Sequence, residues 1–334
     1  GPDWKISYAD AVQDPKTLLK MLSLPHELLP AALIASQQFP LRVPREFISK
    51  MQMSDPNDPL LLQVLPLHAE MIADSNYSTD PVNDQHATAT PGLLHKYHGR
   101  VLVITTGACA VNCRYCFRRH FPYSENSAIA SQWPLIEQYI RQDSSISEVI
   151  LSGGDPLSLS DDKIADIIDR IAALPHVRRI RIHTRLPIMI PQRISSNLLE
   201  SFSRTRLKIV MVMHVNHANE IDTEIIEISE KLRQNCVHLL NQTVLLRRIN
   251  DSVVDLVNLS EALFEAGILP YYIHLLDKVK GATHFDVSER RAYQLWTQLN
   301  TALPGYLVPK LVKDVGEATA KQTLVDKDTL NSES

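Results

Sequence analysis

The sequence predicts an α/β fold: a partial (β/α)6 barrel preceded by a helical N-terminal region and followed by a C-terminal tail. Three observations predict it. From Val101 onward, short β-branched apolar runs alternate with amphipathic stretches, the pattern of repeated βα units. The chain has 334 residues, of which 44% are hydrophobic, enough to bury one large core. Polar residues also collect at the C-terminal ends of the predicted strands, where α/β barrels build their sites.

Taken in order, residues 3 to about 90 read as short helical pieces, including 15–22 and 25–37, broken by prolines and closing in the polar stretch 74–90. The parallel sheet is expected to begin at Val101. Strands are predicted at 101–106, 148–152, 178–184, 207–215, 238–246 and 270–276, with a shorter seventh at 306–312. Between them, apolar residues at three- and four-residue spacing predict helices at 133–141, 161–173, 195–203, 224–234, 253–266 and 288–303. The expected division is a helical region over 1–90, a core over 91–313 and a C-terminal segment over 314–334, and six βα units in a row fit either a barrel or a large open sheet.

A net charge of -4 carries none of the basic excess that marks nucleic-acid or polybasic membrane binders, so a small-molecule partner is expected. No apolar run reaches the roughly 18 residues of a membrane span, and the N-terminus lacks the sections of a signal peptide. A soluble cytoplasmic enzyme is the expectation, with Gly1-Pro2 read as a protease scar. Three of the four cysteines fall within eight positions, which in a long chain without a signal sequence points to metal binding or redox chemistry rather than disulfides. Cys236 stands apart and is read as a buried apolar thiol.

The sharpest signal is Cys109-Ala-Val-Asn-Cys113-Arg-Tyr-Cys116, directly after the first strand. Three thiolates can hold three irons of a four-iron cluster and leave the fourth iron open to a substrate or cofactor. The competing reading takes His120 as a fourth ligand, which gives a Cys3His zinc site and a zinc-stabilised interaction protein. The second strand runs into Gly153-Gly154-Asp155, where paired glycines admit close backbone approach and the carboxylate adds an acceptor for a cation. A plain strand-to-helix turn would use the same residues. Later strands end in His183 and Arg185, in His214, Asn216 and His217, in His274 and Asp277, and in Lys313 and Asp314. Before the first strand, Lys96, Tyr97 and Arg100 could grip a phosphate or simply be surface charge. Lys321 follows small residues in the tail and by itself says little.

Read together, LLHKY, CAVNCRYCFRRHFPYSEN, LSGGDPL, RIHTRLPI, NHANEI, LLNQTVLLR, YYIHLLDKVKGATHF and GYLVPKL make residues 91–321 resemble the lysine 2,3-aminomutases of the radical S-adenosylmethionine (SAM) superfamily. Among these the chain looks most like the short bacterial EpmB branch, which makes β-lysine for elongation factor P. The resemblance implies a TIM-like partial barrel of the radical SAM type and an isomerase converting α-lysine to β-lysine. It implies a [4Fe-4S] cluster on Cys109, Cys113 and Cys116, and SAM against Gly153, Gly154, Asp155, His214 and Gln242. It further implies pyridoxal 5'-phosphate (PLP) on Lys321, with its phosphate gripped by Lys96, Tyr97 and Arg100.

By the same resemblance, Arg118 holds the substrate carboxylate, and Asp277 with Asp314 binds the distal ammonium of lysine. Two neighbouring buried carboxylates repel unless a cation lies between them, which gives that pair a physical rationale. A homo-oligomer is expected, with the enzyme that lysylates elongation factor P as the downstream partner. Three departures stand out. Lys96 replaces an arginine of the longer enzymes, His274 stands where those have a tyrosine beside PLP, and the zinc-binding cysteines of their C-terminal extension have no counterpart. A free-lysine aminomutase of secondary metabolism would share every residue named, and an RNA-modifying radical SAM enzyme lacks the basic stripe it would need.

Overall fold

In the computed structural model, residues 3–66, 88–115, 132–276, 283–313 and 322–323 are described. The first four segments of helix are α1 (Trp4–Ala9), α2 (Pro15–Met21), α3 (Leu29–Gln38) and α4 (Arg45–Ile48). They lie against the barrel rather than apart from it. Leu18, Phe47 and Leu60 belong to the same buried cluster as Val149 and Ile182, so both regions share one core.

Among the described residues, ten strands form a single sheet in sequence order: β1 (Thr88–Thr90), β2 (Leu93–Tyr97), β3 (Arg100–Thr106), β4 (Glu148–Gly153), β5 (Arg179–Thr184), β6 (Lys208–Met213), β7 (Val237–Leu245), β8 (Leu269–Leu275), β9 (Lys310–Lys313) and β10 (Gln322–Thr323). Pairing is parallel from β3 through β9. A parallel sheet whose spatial order equals its sequence order steps each crossover the same way, as in a barrel, with no reversal point of the doubly wound kind. Since β1 and β10 are not paired with each other, the barrel is partial and open.

Among the described residues, six helices cover the outer face: α5 (Trp133–Gln142), α6 (Asp161–Ala172), α8 (Ser196–Arg204), α9 (Thr223–Gln234), α10 (Val253–Glu265) and α11 (Glu289–Ala302), with the one-turn α7 (Leu186–Met189) directly after β5. Five of the six begin at a side-chain cap: Ser160, Ser195, Asp222, Ser252 and Ser288 each accept a hydrogen bond from a backbone N–H in the first turn. That explains the small offsets from the sequence reading, which took Ser195 and Ser288 as helical rather than capping. Along β5, Ile180, Ile182 and Thr184 are buried while the alternate Arg181 and His183 are half-buried and line the barrel interior. No helix among the described residues is long and apolar enough to cross a membrane.

Two expectations change. The sheet does not begin at Val101: β1 and β2 precede it, antiparallel to each other, and β2 is antiparallel to β3. His98 and Gly99 form a two-residue turn between paired Tyr97 and Arg100, with Gly99 at φ 75°. Their signal was hidden because LLHKY is short and its polar residues hide the alternation. Cys236 is exposed, not a buried thiol. It follows α9 at φ 65°, and its N–H donates to the Arg233 carbonyl at 3.1 Å, so backbone termination of the helix decides its place.

Candidate active site

A cavity of about 730 Å³ opens at the C-terminal ends of the strands and runs down the barrel interior. Ten residues given a role by the resemblance line it: Cys109, Cys113, Gly153, Gly154, Asp155, His214, Gln242, Lys96, Tyr97 and Arg100; the polar strand ends His183, Arg185 and His274 line it too. Cys116, Arg118, Asp277, Asp314 and Lys321 lie outside the described residues, as does the alternative ligand His120. The described residues hold no cluster of three or more His, Cys, Asp or Glu that could bind a metal, and Cys116 comes immediately after the described segment.

The cysteine loop is held from two sides. Toward the barrel, Gly154 N–H donates to the Thr106 carbonyl and Asp155 N–H to the Ala108 carbonyl, both at 2.7 Å. Toward the N-terminal region, Asn112 N–H donates to Arg42 O and Arg114 N–H to Gln63 O, both at 3.0 Å. Arg114 Nη1 adds a bond to Leu62 O at 2.8 Å. The paired glycines serve this packing. A Cβ on Gly154 would meet the Ala108 oxygen at 2.3 Å, and one on Gly153, at φ 132°, would meet the Thr106 oxygen at 2.3 Å.

Asp155 lines the cavity, but its carboxylate is occupied by the protein. One oxygen accepts from Leu157 N–H at 3.0 Å and Thr184 Oγ1–H at 2.6 Å, and the other from the N–H groups of Arg185 and Leu186 at 2.8 and 2.9 Å. These bonds take the four lone-pair positions, so the side chain ties the end of β4 to the end of β5. Burial pushes the Asp155 carboxyl above the usual range, and the same bonds oppose that rise.

Arg185 follows the last residue of β5 and is 6% exposed. Its Nη1 donates to Cys113 Sγ at 2.9 Å and to the Tyr115 hydroxyl at 2.7 Å. Nη2 donates to Gln63 Oε1 at 2.6 Å and to Glu220 Oε1 at 2.8 Å. Burial alone would lower the Arg185 pKa, but Tyr115, Cys113 and Glu220 outweigh it and the net shift is upward. Glu220 is fully buried, and its second oxygen accepts from the N–H groups of Asn216 and His217 at 2.8 and 2.9 Å. Sequence reasoning named Arg185 only as a polar strand end and missed Glu220, Gln63 and Tyr115. The one local signal was His217 three residues before Glu220, which forms a capping box in the structure.

His214, directly after β6, is half-buried next to this network, and its Nε2–H donates to Asn216 Oδ1 at 3.1 Å. Burial first, and then the nearby Arg185 charge, push its pKa down to about 3, so the ring is neutral at physiological pH. Gln242 sits on β7 opposite Tyr272 of β8. At the other end of the cavity, Arg100 and Lys96 place their cations 4.7 and 5.8 Å from the Tyr97 ring centroid. The β2–β3 turn therefore gathers two positive charges and a phenol. Two polar strand ends point elsewhere: His217 caps the turn at Ala218–Glu220, and Lys313 pairs with Glu289.

Residues 98–185 match the family model described as a 4Fe-4S single cluster domain, the stretch from the β2–β3 turn to Arg185. The L-lysine 2,3-aminomutase of Escherichia coli (strain K12) is 49% identical over 323 residues, covering 96% of this chain and 94% of that protein. The chain belongs to the L-lysine 2,3-aminomutase family. The Haemophilus influenzae member is 48% identical over 94% of this chain and 93% of its own length, and the Clostridium subterminale member is 31% identical over 93% and 75%. Among solved structures, Streptococcus suis SuiB bound to S-adenosylmethionine aligns at a TM-score of 0.45 and 14% identity, over 71% of this chain and 65% of that one. A radical SAM methyltransferase from Sphaerobacter thermophilus aligns at 0.46 and 16%, over 68% and 71%.

The residues of this aminomutase-family chain suit an anionic iron–sulfur group at the cysteine loop. A buried guanidinium already donates to Cys113 Sγ, and the loop's backbone seat excludes any side chain at Gly153 and Gly154. The Lys96, Tyr97 and Arg100 group likewise suits a phosphate, because charge-assisted donors there face the cavity.

Proposed function

We propose that this chain is a radical SAM, PLP-dependent L-lysine 2,3-aminomutase that converts α-lysine to β-lysine. One observation carries the reading: Cys109 and Cys113, the Gly153-Gly154 seat, His214, Gln242 and the Lys96-Tyr97-Arg100 group all line one cavity that runs through a partial barrel, in a chain of this family. When bound, the reduced cluster and SAM supply one-electron hydrogen abstraction, and PLP supplies a carrier for the migrating nitrogen.

The protein's own residues bind and orient. Cys109, Cys113 and Cys116 hold the cluster, with Gly153 and Gly154 keeping their loop against the barrel. Asp155 contributes by fixing the backbone around SAM, and neutral His214 with Gln242 offers hydrogen bonds without adding charge beside a sulfonium. Lys96, Tyr97 and Arg100 hold the PLP phosphate and Lys321 its ring. Arg118 takes the substrate carboxylate, while Asp277 and Asp314 select a substrate with a distal ammonium, since two carboxylates reject a second anion. The motifs' likeness to the EpmB branch supports elongation factor P as the destination of the β-lysine, with its lysylating enzyme downstream in the cytoplasm and a homo-oligomeric state.

The deciding experiment supplies anaerobically reconstituted protein with lysine, SAM, PLP and dithionite, and resolves the product by chiral chromatography. β-Lysine is expected, together with iron and sulfide in the proportions of a four-iron cluster. Zinc without sulfide, or an absence of β-lysine, overturns the reading.

A further inference from the structure

A buried cation beside a cysteine sulfur needs a reason, because taking an Arg–Glu pair out of water carries a desolvation cost that its contacts must offset. Arg185 is held with unusual completeness. Four of its five N–H donors are used, on Cys113 Sγ, Tyr115, Gln63 and Glu220, and only Nε has no partner among the described residues. Its guanidinium also lies 5.6 Å from the Phe47 ring centroid. Glu220 is locked in turn by Asn216 and His217 N–H groups, so the charge pair cannot swing away from the sulfur.

We propose that Arg185, anchored by Glu220, is a positioning residue that sets the reduction potential of the iron–sulfur cluster through its hydrogen bond to Cys113 Sγ. The inference rests on the reading above that Cys113 ligates the cluster. A positive donor at a ligand sulfur stabilises the form with one more electron and therefore raises the potential. Glu220 opposes it from the far side of the guanidinium. The two residues thus act with opposite sign on one sulfur, so their neutral variants should shift the potential in opposite directions.

The test compares wild-type protein with Arg185→Gln, Arg185→Lys and Glu220→Gln, reconstituted anaerobically and without SAM. Low-potential dye mediators and dithionite poise the solution, one electron enters each cluster, and the reduced fraction is read by EPR. Arg185→Gln is expected to lower the reduced-to-oxidised ratio at a fixed potential about tenfold, equivalent to about 59 mV for a one-electron couple. Glu220→Gln is expected to raise that ratio, and Arg185→Lys to fall between Arg185→Gln and wild type. Ratios within twofold of wild type at full iron content overturn the proposal, as do shifts of the same sign in Arg185→Gln and Glu220→Gln. Folded variants that both lack iron overturn it too, because the pair would then be holding the loop rather than setting a potential. Wild-type protein with no four-iron EPR signal instead defeats the functional reading itself, so the two failures are distinguishable.

Discussion

Gly154 lies against Ala108 so closely that a Cβ at Gly154 would meet the Ala108 carbonyl oxygen at 2.3 Å and its carbonyl carbon at 2.7 Å. The contact is backbone on backbone, so no rotamer change can relieve it. Gly154→Ala is expected to displace the cysteine loop and destabilise the fold by about 1–3 kcal/mol, in the range of overpacked substitutions. Gly305→Ala serves as the control, since nothing lies within 4 Å of a Cβ there. Urea midpoints and iron per chain after reconstitution give the comparison, and equal iron in both variants would refute the role of the seat.

Asp155 offers a second handle, because all four of its acceptor positions meet protein donors. Asparagine keeps the shape but turns an NH2 group toward two donors, leaving them without acceptors. The expected cost is about 1–3 kcal/mol for each donor stranded. Denaturation of Asp155→Asn at neutral pH checks this, and an unchanged midpoint would show that the bonds contribute nothing.

The half-buried His214 ties stability to pH. Its pKa falls from 6.5 to about 3 in the folded chain, so between those values the unfolded state carries the extra proton. Stability therefore rises with pH across that window and is lost as pH drops through it, by up to ~1.4 kcal/mol per pH unit from this one group. In His214→Gln the slope of unfolding free energy against pH between 4 and 6 should be shallower by about that amount. Parallel slopes would mean that the ring charges inside the fold.

Lys96 and Arg100 share the Tyr97 ring at the cavity edge. If they hold a phosphate, Lys96→Ala and Arg100→Ala should each weaken PLP binding about 10- to 100-fold, the scale of one charge-assisted hydrogen bond. Pyridoxal, which has no phosphate, should bind wild type and both variants alike. Equilibrium absorbance measurements with the two compounds separate a phosphate grip from ordinary surface charge.

Much of the scaffold was legible in the residues themselves. Period-two runs such as 179–184 and the three- and four-residue apolar spacing of 253–266 are local signals, and local signals survive without knowledge of the rest of the chain. The hairpin at Leu93–Tyr97 was not, because a five-residue strand with polar members is set by its partner across the turn. Cys236 was misplaced for a related reason: composition suggests burial for a thiol, whereas the end of α9 imposes a left-handed backbone on the surface.

The sequence by itself determined the repeated βα pattern, the cysteine spacing and the set of polar strand ends, since each depends on neighbours within a few residues. Only the tertiary structure decided what those polar groups do. It gave Asp155 to the backbone at the end of β5, turned His217 and Lys313 away from the cavity, and brought Gln63, Cys113, Arg185 and Glu220 together across up to 157 positions of chain. A hydrogen bond or ion pair is fixed by distance in space, and the distance between residues far apart in sequence is set by the packing of the whole core.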